Sequence, residues 1–303
     1  MIQDEILKLK RQKNAIILAH NYQLPEVQDI ADVTGDSLEL SKIAAKSNAD
    51  IIVFCGVTFM AETAKILSPK TKVLITEKKS GCFLADTIST EQLLEMRRQY
   101  PEAVFVAYVN SYAQIKANVD ICCTSANAVQ VVNSIPKDKD VVFIPDRNLG
   151  RHVIKQTGRK NIITWGSGFC DVHEAILPQD IINAKKKFPK AQVIAHPECR
   201  EDVLDMSDFI ASTSGMIKIA KQKPANKFII ATEKEMVYKL QKEVPDKKFI
   251  AIKEDAICST MKLTTLKSVL NALKKEQYEI ILPKDIITKA QNSINKMITI
   301  EGK

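Results

Sequence analysis

The stretch AIILAHNY (residues 15–22) recurs in outline as AVFVAYVN (residues 103–110) and AQVIAHPE (residues 191–198), and each copy starts 88 residues after the previous one. Each run follows a basic, helix-like segment, and its apolar residues are continuous rather than alternating. Continuous β-branched runs of this length indicate strands of a parallel sheet with both faces buried. A fixed period of this size predicts three copies of one module.

Two further sets of segments keep the same register. The first set is ADVTGDSLELSK (31–42), VDICCTSANAVQ (119–130) and SDFIASTSGMIK (207–218), and the second is KVLITEKKSGC (72–82), NIITWGSGFC (161–170) and KKFIAIKEDAIC (247–258). The first set carries a hydroxyl at Ser37, Ser125 and Thr213. Because Ser125 and Thr213 follow a short apolar strand and precede a helical pattern, they are expected to cap helices whose free backbone N–H groups can bind an anion.

The repeat predicts an α/β fold, with three homologous α/β/α modules whose small parallel sheets are arranged with pseudo-threefold symmetry around a central active site. The modules are expected at residues 1–90, 91–178 and 179–261. A tail at residues 262–303 is expected to add a helix, a strand at YEIILP (278–283) and a final helix, and to pack on the first module.

Composition and charge argue against several classes of function. The formal charge of +8 comes mostly from lysines scattered over predicted helix faces, without an arginine-rich or aromatic stripe, so binding of nucleic acid is not expected. No run of about 18 apolar residues occurs, so we expect a soluble, cytoplasmic protein without a membrane partner. Neither a P-loop nor a dinucleotide-binding glycine motif is present.

The cysteines predict a metal centre. There are seven of them, an odd number without a close C-x-x-C pair, which favours reduced thiols over a disulfide scaffold. Ligands collect beyond the carboxyl ends of parallel strands, where the repeat would bring Cys82, Cys170 and Cys258 together. Three thiolates suit a 4Fe-4S cluster, one per chain, with one iron left open as a Lewis acid. The alternative metal site is zinc, with His173 joining the cysteines. The cysteines outside the register are expected to be packing residues: Cys55, Cys122, Cys123 and Cys199.

A ring of polar groups is expected beside the three cysteines. Its members are His20, Tyr108 and His196 at the strand ends and, two positions further on, Tyr22, Asn110 and Glu198. Alternation along an extended backbone places each pair on one side. Donors from this ring and the three hydroxyls would hold carboxylate or phosphate oxygens, while Glu198 is the carboxylate suited to act as a general base. Asp36 and His173 are further candidates.

Several motifs resemble the quinolinate synthase family. They are ILAHNYQLPEVQDIADVTGDSLEL (17–40), AYVNS (107–111), TSANAV (124–129), PDRNLG (145–150), HPEC (196–199) and ASTSGM (211–216). The motifs stand in the order of the family and run over nearly the whole chain, so the resemblance is specific. The fold of that family, three α/β/α modules around a cavity with a 4Fe-4S cluster on three cysteines, agrees with the repeat.

The resemblance implies a transferase of NAD biosynthesis that condenses iminoaspartate (iminosuccinate) with dihydroxyacetone phosphate to quinolinate, losing phosphate and two waters. It implies Cys82, Cys170 and Cys258 as cluster ligands, and a functional link to an enzyme that produces iminoaspartate. The implied catalytic residues are Tyr22 and Glu198, as acid/base partners, with His20 and His196. The implied substrate-binding residues are His20, Ser37, Tyr108, Val109, Asn110, Ser125, His196, Pro197, Glu198 and Thr213.

The chain departs from some members of the family at the last cluster cysteine. Some relatives carry a C-x-x-C pair at the last cluster cysteine, whereas Cys258 is followed by Ser-Thr-Met, so a thiol–disulfide switch is not expected there.

The first alternative function is a hydro-lyase that uses the same open iron on another dicarboxylate and needs no triose phosphate. The second is an iron-sulfur or zinc sensor without catalysis, which would not need the polar ring.

Overall fold

The computed structural model describes residues 2–300, and this part of the chain forms three all-parallel sheets of four strands each. The first module contains α1 (Ile2–Gln12), β1 (Ala15–His20), α2 (Pro25–Ile30), β2 (Val33–Gly35), α3 (Ser37–Lys46), β3 (Ile51–Cys55), α4 (Thr58–Leu67) and β4 (Lys72–Ile75). The second contains α5 (Thr90–Gln99), β5 (Val104–Tyr108), α6 (Ala113–Ala117), β6 (Ile121–Cys123), α7 (Ala128–Asn133), β7 (Val141–Ile144), α8 (Arg147–Thr157), β8 (Ile162–Thr164) and α9 (Asp171–Glu174). The third contains α10 (Pro178–Lys187), β9 (Gln192–Ala195), α11 (Glu201–Asp205), β10 (Phe209–Ile210), α12 (Thr213–Gln222), β11 (Lys227–Ala231), α13 (Met236–Glu243) and β12 (Lys248–Ala251). The tail forms α14 (Leu266–Lys275) and α15 (Lys284–Thr299).

Strand order is the same in all three sheets, namely β2-β1-β3-β4, β6-β5-β7-β8 and β10-β9-β11-β12. This confirms the α/β fold and the three related modules that the 88-residue repeat predicts. The first strand of each module lies between two neighbours and carries helices on its faces, which explains its continuous apolar run. The module boundaries at residues 90 and 178 stay a prediction.

The polar ends of these first strands lie at one edge of each sheet. His20 is the last residue of β1, Tyr108 is the last residue of β5, and His196 directly follows β9. Since all strands of a sheet run in the same direction, the loops that follow them share that edge. The residues of the predicted polar ring therefore lie at the carboxyl ends of the strands.

The helix caps differ from the expectation. Thr213 is the first residue of α12, and the cap is Ser212, whose side chain accepts a hydrogen bond from the backbone N–H of Gly215 at 3.2 Å. Ser125 does not cap α7, because that helix begins only at Ala128. The prediction was wrong for both residues, since a cap is set by the backbone conformation at one position, and a pattern of residue types locates helix ends only to within a few residues.

The tail also departs from expectation. YEIILP does not form a strand; it makes a single antiparallel bridge between Leu74 and Glu279. Helix α14 packs on α1 and β3 of the first module, whereas α15 packs on α6 and β6 of the second module and on α4 of the first. The tail thus contacts the second module as well as the first, and residues 301–303 of the predicted tail lie outside the described residues.

The largest apolar cluster contains residues of all three modules, including Phe54, Phe105 and Phe228, so the modules share one core around their meeting point. Cys55, Cys122, Cys123 and Cys199 are fully buried, as predicted for packing residues. Among the described residues, no helix is both long and apolar enough to cross a membrane.

Candidate functional site

One cavity of about 320 Å³ lies where the three modules meet. Volumes of this size are typical of sites for small ligands. Most residues of the predicted site line the cavity: His20, Tyr22, Ser37, Cys82, Tyr108, Asn110, Ser125, Cys170, His196, Glu198, Thr213 and Cys258. Asp36 and His173 line it as well, whereas Val109 and Pro197 do not, and the substrate contacts of these last two stay a prediction.

The three cysteines of the register occupy equivalent places in the chain fold. Cys82 follows β4 and precedes a 3-10 helix at Ala85–Thr87, Cys170 follows β8 and directly precedes α9, and Cys258 follows β12 and precedes a 3-10 helix at Met261–Leu263. Each module thus contributes one thiol to the cavity. Burial raises the pKa of all three thiols above the ordinary value for cysteine.

A second set of potential ligands shares Cys170. The ligand atoms of Cys170, His173 and Glu198 lie within 4.8 Å of one another, and no other group of three Cys, His, Asp or Glu side chains in residues 2–300 does so. At least one pair among the sulfurs of Cys82, Cys170 and Cys258 therefore lies more than 4.8 Å apart. That separation is wider than the roughly 3.8 Å between two thiolates on one tetrahedral zinc ion.

Glu198 is surrounded by polar side chains of the second and third modules. Its Oε2 lies 3.0 Å from Nδ1 of His196 and 3.2 Å from Nδ1 of His173, and its Oε1 accepts a hydrogen bond from Nδ2 of Asn110 at 3.4 Å. Burial acts to raise the pKa of the Glu198 carboxyl, but the two histidines and a hydrogen bond from Tyr108 lower it overall. The carboxylate is ionised at neutral pH although it is only 3% exposed.

The three histidines of the cavity are buried. Burial lowers the pKa of His20 and of His173 to about 3, so both rings are neutral. Nδ1 of His20 accepts a hydrogen bond from the backbone N–H of Tyr22 at 3.2 Å, which places the ring hydrogen on Nε2. His196 joins the second module through its Nε2, which lies 3.2 Å from Oγ of Ser125. Three of the four histidines in the chain thus line this cavity.

The first and third modules meet at Tyr22, Asp36 and Thr213. Nδ2 of Asn21 donates to Oγ1 of Thr213 at 2.8 Å, and Oγ of Ser212 donates to Oδ2 of Asp36 at 3.4 Å. Burial raises the pKa of Tyr22 far above its usual value, and the nearby Glu198 charge acts in the same direction. Tyr22 is consequently a neutral hydroxyl in the resting protein.

Sequence reasoning missed Thr232, Glu233 and Lys262. Glu233 is buried on the cavity wall and pairs with Nζ of Lys262 at 2.7 Å. Thr232 follows β11 and is fully buried. The repeat could not reveal Thr232, because the positions 88 and 176 residues earlier are Ile144 and Gly56, which carry no hydroxyl.

The fold and the site together define an α/β enzyme in which three related modules enclose one cavity lined by thiols, imidazoles and a buried carboxylate. The family described as "Quinolinate synthetase A protein" matches residues 4–299. The chain belongs to the quinolinate synthase family, as its motifs predict.

Individual relatives are similar to this chain over nearly their full lengths. A quinolinate synthase of Thermodesulfovibrio yellowstonii is 52% identical over 297 residues, which is 98% of this chain and 97% of that protein. A quinolinate synthase of Alkaliphilus metalliredigens is 48% identical over 98% of each chain, and so is one of Pyrococcus abyssi. Membership supports quinolinate synthase function in NAD biosynthesis.

Proposed function

We propose that this protein condenses iminoaspartate with dihydroxyacetone phosphate to quinolinate, releasing phosphate and two waters, in the cytoplasm. The observation that carries the proposal is the convergence of one cysteine from each module on a cavity lined by three histidines, two tyrosines and Glu198. A sensor without catalysis would not need this set of titratable groups around its metal ligands. An enzyme that produces iminoaspartate is the proposed functional partner.

The polar lining suits two anionic substrates. Iminoaspartate carries two carboxylates and dihydroxyacetone phosphate carries a phosphate, so their binding requires several donors in a confined space. His20 offers Nε2–H, Ser37 and Thr213 stand at the first positions of α3 and α12, and Ser125 and Tyr108 add hydroxyls. Helix amino termini with nearby hydroxyls favour carboxylate and phosphate oxygens.

Acid/base steps are assigned to Glu198 and Tyr22. Glu198 is ionised and held by His173, His196 and Asn110, so it can accept a proton from a carbon or nitrogen of the bound substrate. Tyr22 is neutral and lines the cavity from the loop that follows β1. A carboxylate and a phenol from different modules can act on different atoms of one substrate during isomerisation and ring closure.

Cys82, Cys170 and Cys258 are the proposed ligands of a 4Fe-4S cluster. When bound, such a cluster with three protein ligands supplies an open iron that acts as a Lewis acid toward an oxygen of the substrate. The histidines and hydroxyls beside it orient the substrate, and apolar residues of the shared core form part of the cavity wall.

The test is anaerobic purification with iron and sulfide analysis, followed by an assay of quinolinate from the two substrates. About four irons per chain together with product formation are expected. In Cys170→Ala both iron and product should be lost, because one ligand is missing. Cys55→Ala is the matched control, since Cys55 is a buried cysteine in the core of the first module.

Each outcome has a defined meaning. Zinc without iron would contradict the cluster assignment. Iron without quinolinate would contradict the reaction, and turnover of another dicarboxylate without triose phosphate would indicate a hydro-lyase. Full activity of Cys170→Ala would exclude the assigned ligand set.

A further inference from the structure

Asn148, near the start of α8, joins the second module to the backbone of Glu198 in the third. Its Nδ2 donates to the backbone carbonyl of Glu198 at 3.1 Å and to Oε2 of Glu174 at 2.8 Å. A backbone carbonyl only accepts, so the amide presents its nitrogen there, and the two hydrogens of that nitrogen serve the two oxygens. Asn148 is buried and does not line the cavity, so it lies outside the substrate site.

The carbonyl of Glu198 accepts no other hydrogen bond within residues 2–300. The N–H of the same residue donates to Nδ1 of His196 at 3.4 Å, a bond within one loop of the third module. The bond from Asn148 therefore fixes the peptide that follows Glu198 to the second module. A rotation of this peptide would move the Glu198 side chain, whose carboxylate lies 3.2 Å from His173 of that module.

The start of α8 also holds the segment that carries Cys170. The backbone N–H of Arg147 donates to the carbonyl of Gly168 at 2.8 Å, and the Arg147 guanidinium pairs with Glu174 at 2.7 Å. The backbone N–H of Glu174 in turn donates to the carbonyl of Cys170 at 2.9 Å. None of these contacts involves Asn148, so removal of its amide should release the Glu198 backbone and leave the thiol in place.

A second contact between the same two modules is weak. Nη1 of Arg200, in the third module, lies 3.8 Å from Oε1 of Glu174, and Arg200 forms a closer pair with Asp202 at 2.9 Å. The Arg200 side chain is 40% exposed, and exposed ion pairs contribute little to stability. The buried bond from Asn148 is thus the stronger connection between α8 and the loop of Glu198.

The repeat shows that the module fold does not require an amide at this position. The residues 88 positions before and after Asn148 are Met60 and Met236, which are buried and lie near the starts of the equivalent helices α4 and α13. The amide of Asn148 is therefore a departure from the repeat, and it occurs where the backbone of Glu198 needs a donor.

We propose that Asn148 is a positioning residue that holds the backbone of Glu198 against α8 and thereby sets the place of the Glu198 carboxylate for its acid/base role. The inference rests on the proposed function, in which Glu198 and Tyr22 are acid/base partners. Asn148 acts through Glu198 and does not contact the substrate. Proton transfer depends on the distance and direction between the carboxylate and the substrate, so a small shift of this backbone reduces the rate.

The first test is Asn148→Ala, which removes the donor. A loss in kcat of about 10- to 100-fold is expected, because a misplacement of about 1 Å can cost that much. KM should change less than about threefold, since the donors that hold the substrate oxygens remain. Iron content should stay at about four per chain, because the Cys170 segment keeps its own contacts with α8.

Asn161→Ala is the matched control. Asn161 also belongs to the second module, and its Nδ2 also donates to two oxygens, the carbonyls of Lys137 at 3.0 Å and Lys139 at 2.7 Å. It does not line the cavity and has no contact with Glu198. Its loss should change kcat less than about twofold.

An exchange of donor and acceptor separates the positioning of Glu198 from support of Glu174. Asn148→Asp keeps the shape but removes both hydrogens, so kcat should fall at least as far as in Asn148→Ala. Adding Glu174→Gln restores a donor and an acceptor between these two side chains, but the carbonyl of Glu198 still lacks its donor. The double variant should therefore recover the thermal stability that Asn148→Asp loses, without recovering kcat. Glu174→Gln alone keeps the donor to Glu198 and should retain kcat within about threefold.

The rate constant kcat, KM, iron content and thermal melting are measured for every variant. Full activity of Asn148→Ala would overturn the proposal, and so would recovery of kcat in the double variant or a loss of iron that matches the loss of kcat. If Asn148→Ala does not fold, Asn148→Asp with Glu174→Gln replaces it; failure of both while Asn161→Ala folds would assign Asn148 a structural role and overturn the proposal. A wild type that forms no quinolinate would contradict the proposed function, whereas an active wild type with an equally active Asn148→Ala would contradict this inference alone.

Discussion

Buried titratable residues dominate this protein at the scale of single residues. Glu198 remains ionised in the interior because His173, His196 and Tyr108 hold its pKa low, and the loss of any one would leave a buried charge less well paired. Lys116 differs from Glu198, because its hydrogen-bond partners are uncharged. It is fully buried, and its Nζ donates to Oγ1 of Thr63 at 2.7 Å and to the carbonyl of Phe59 at 3.1 Å, both uncharged.

Lys116 should make stability depend on pH. Burial lowers its pKa to about 8 in the folded protein, although nearby Glu62 acts in the opposite direction. Between pH 8 and the ordinary lysine value near 10.4 the unfolded chain binds more protons than the folded one, so the contribution of Lys116 rises with pH in this window. Relative to Lys116→Met, the free energy of unfolding of the wild type should increase by about 3 kcal/mol across the window.

Urea denaturation of both proteins at several pH values between 7.5 and 10.5 measures this difference. Lys137→Met is the control, because Lys137 is exposed and its removal should leave the pH dependence unchanged. A constant difference between the wild type and Lys116→Met would show that Lys116 stays charged in the folded state.

At the scale of elements, the loops after the fourth strands matter most, because they carry the three cysteines. The loop between β8 and α9 is fixed against the second sheet at Gly168, whose carbonyl accepts a hydrogen bond from the backbone N–H of Arg147 at 2.8 Å. A Cβ on Gly168 would lie 1.9 Å from the carbonyl oxygen of Pro145. Glycine is therefore required there by close backbone approach.

Gly168→Ala should displace the loop that positions Cys170. Overpacking of this kind costs about 1 to 3 kcal/mol, and a displaced thiol should lower the iron content and reduce kcat by at least about tenfold, since small misplacements at a site are costly. Gly166→Ala in the same loop is the control, because its Cβ would meet nothing within 4 Å. Wild-type iron content and activity in Gly168→Ala would contradict this account.

At the scale of the whole molecule, the cavity belongs to no single module. Side chains of the first and third modules meet at Asn21 and Thr213, those of the second and third meet at Ser125 and His196, and Lys116 links the second to the first. A group that binds one cysteine of each module would connect all three.

Cluster loading should therefore raise thermal stability. Binding to the folded state alone stabilises it, and a gain of about 3 kcal/mol corresponds to a rise in Tm of roughly 5 to 10 °C for a chain of this size. Anaerobic thermal melting before and after removal of iron by a chelator measures the shift. Cys55→Ala should retain the shift, and Cys170→Ala should lose it. An identical Tm with and without iron would mean that the cluster does not join the modules.

The sequence by itself determined the number of modules, the buried first strands and the place of the three cysteines. These features repeat with one period, and each depends on a local pattern of apolar residues followed by a polar residue, which a linear sequence displays directly. Most of the polar residues that line the cavity were identified for the same reason, since carboxyl ends of parallel strands share one edge.

Only the tertiary structure showed which side chains and helices make the contacts between modules. Three contacts join residues far apart in the chain: the hydroxyl of Thr232 with that of Tyr22, buried Lys116 with Thr63, and α15 with two modules. No counterpart at the 88-residue spacing marks them. The caps at Ser212 and Asn127 depended on backbone conformation at single positions. Contacts between modules follow from three-dimensional shape and hydrogen-bond geometry, so a pattern confined to one module carries no record of them.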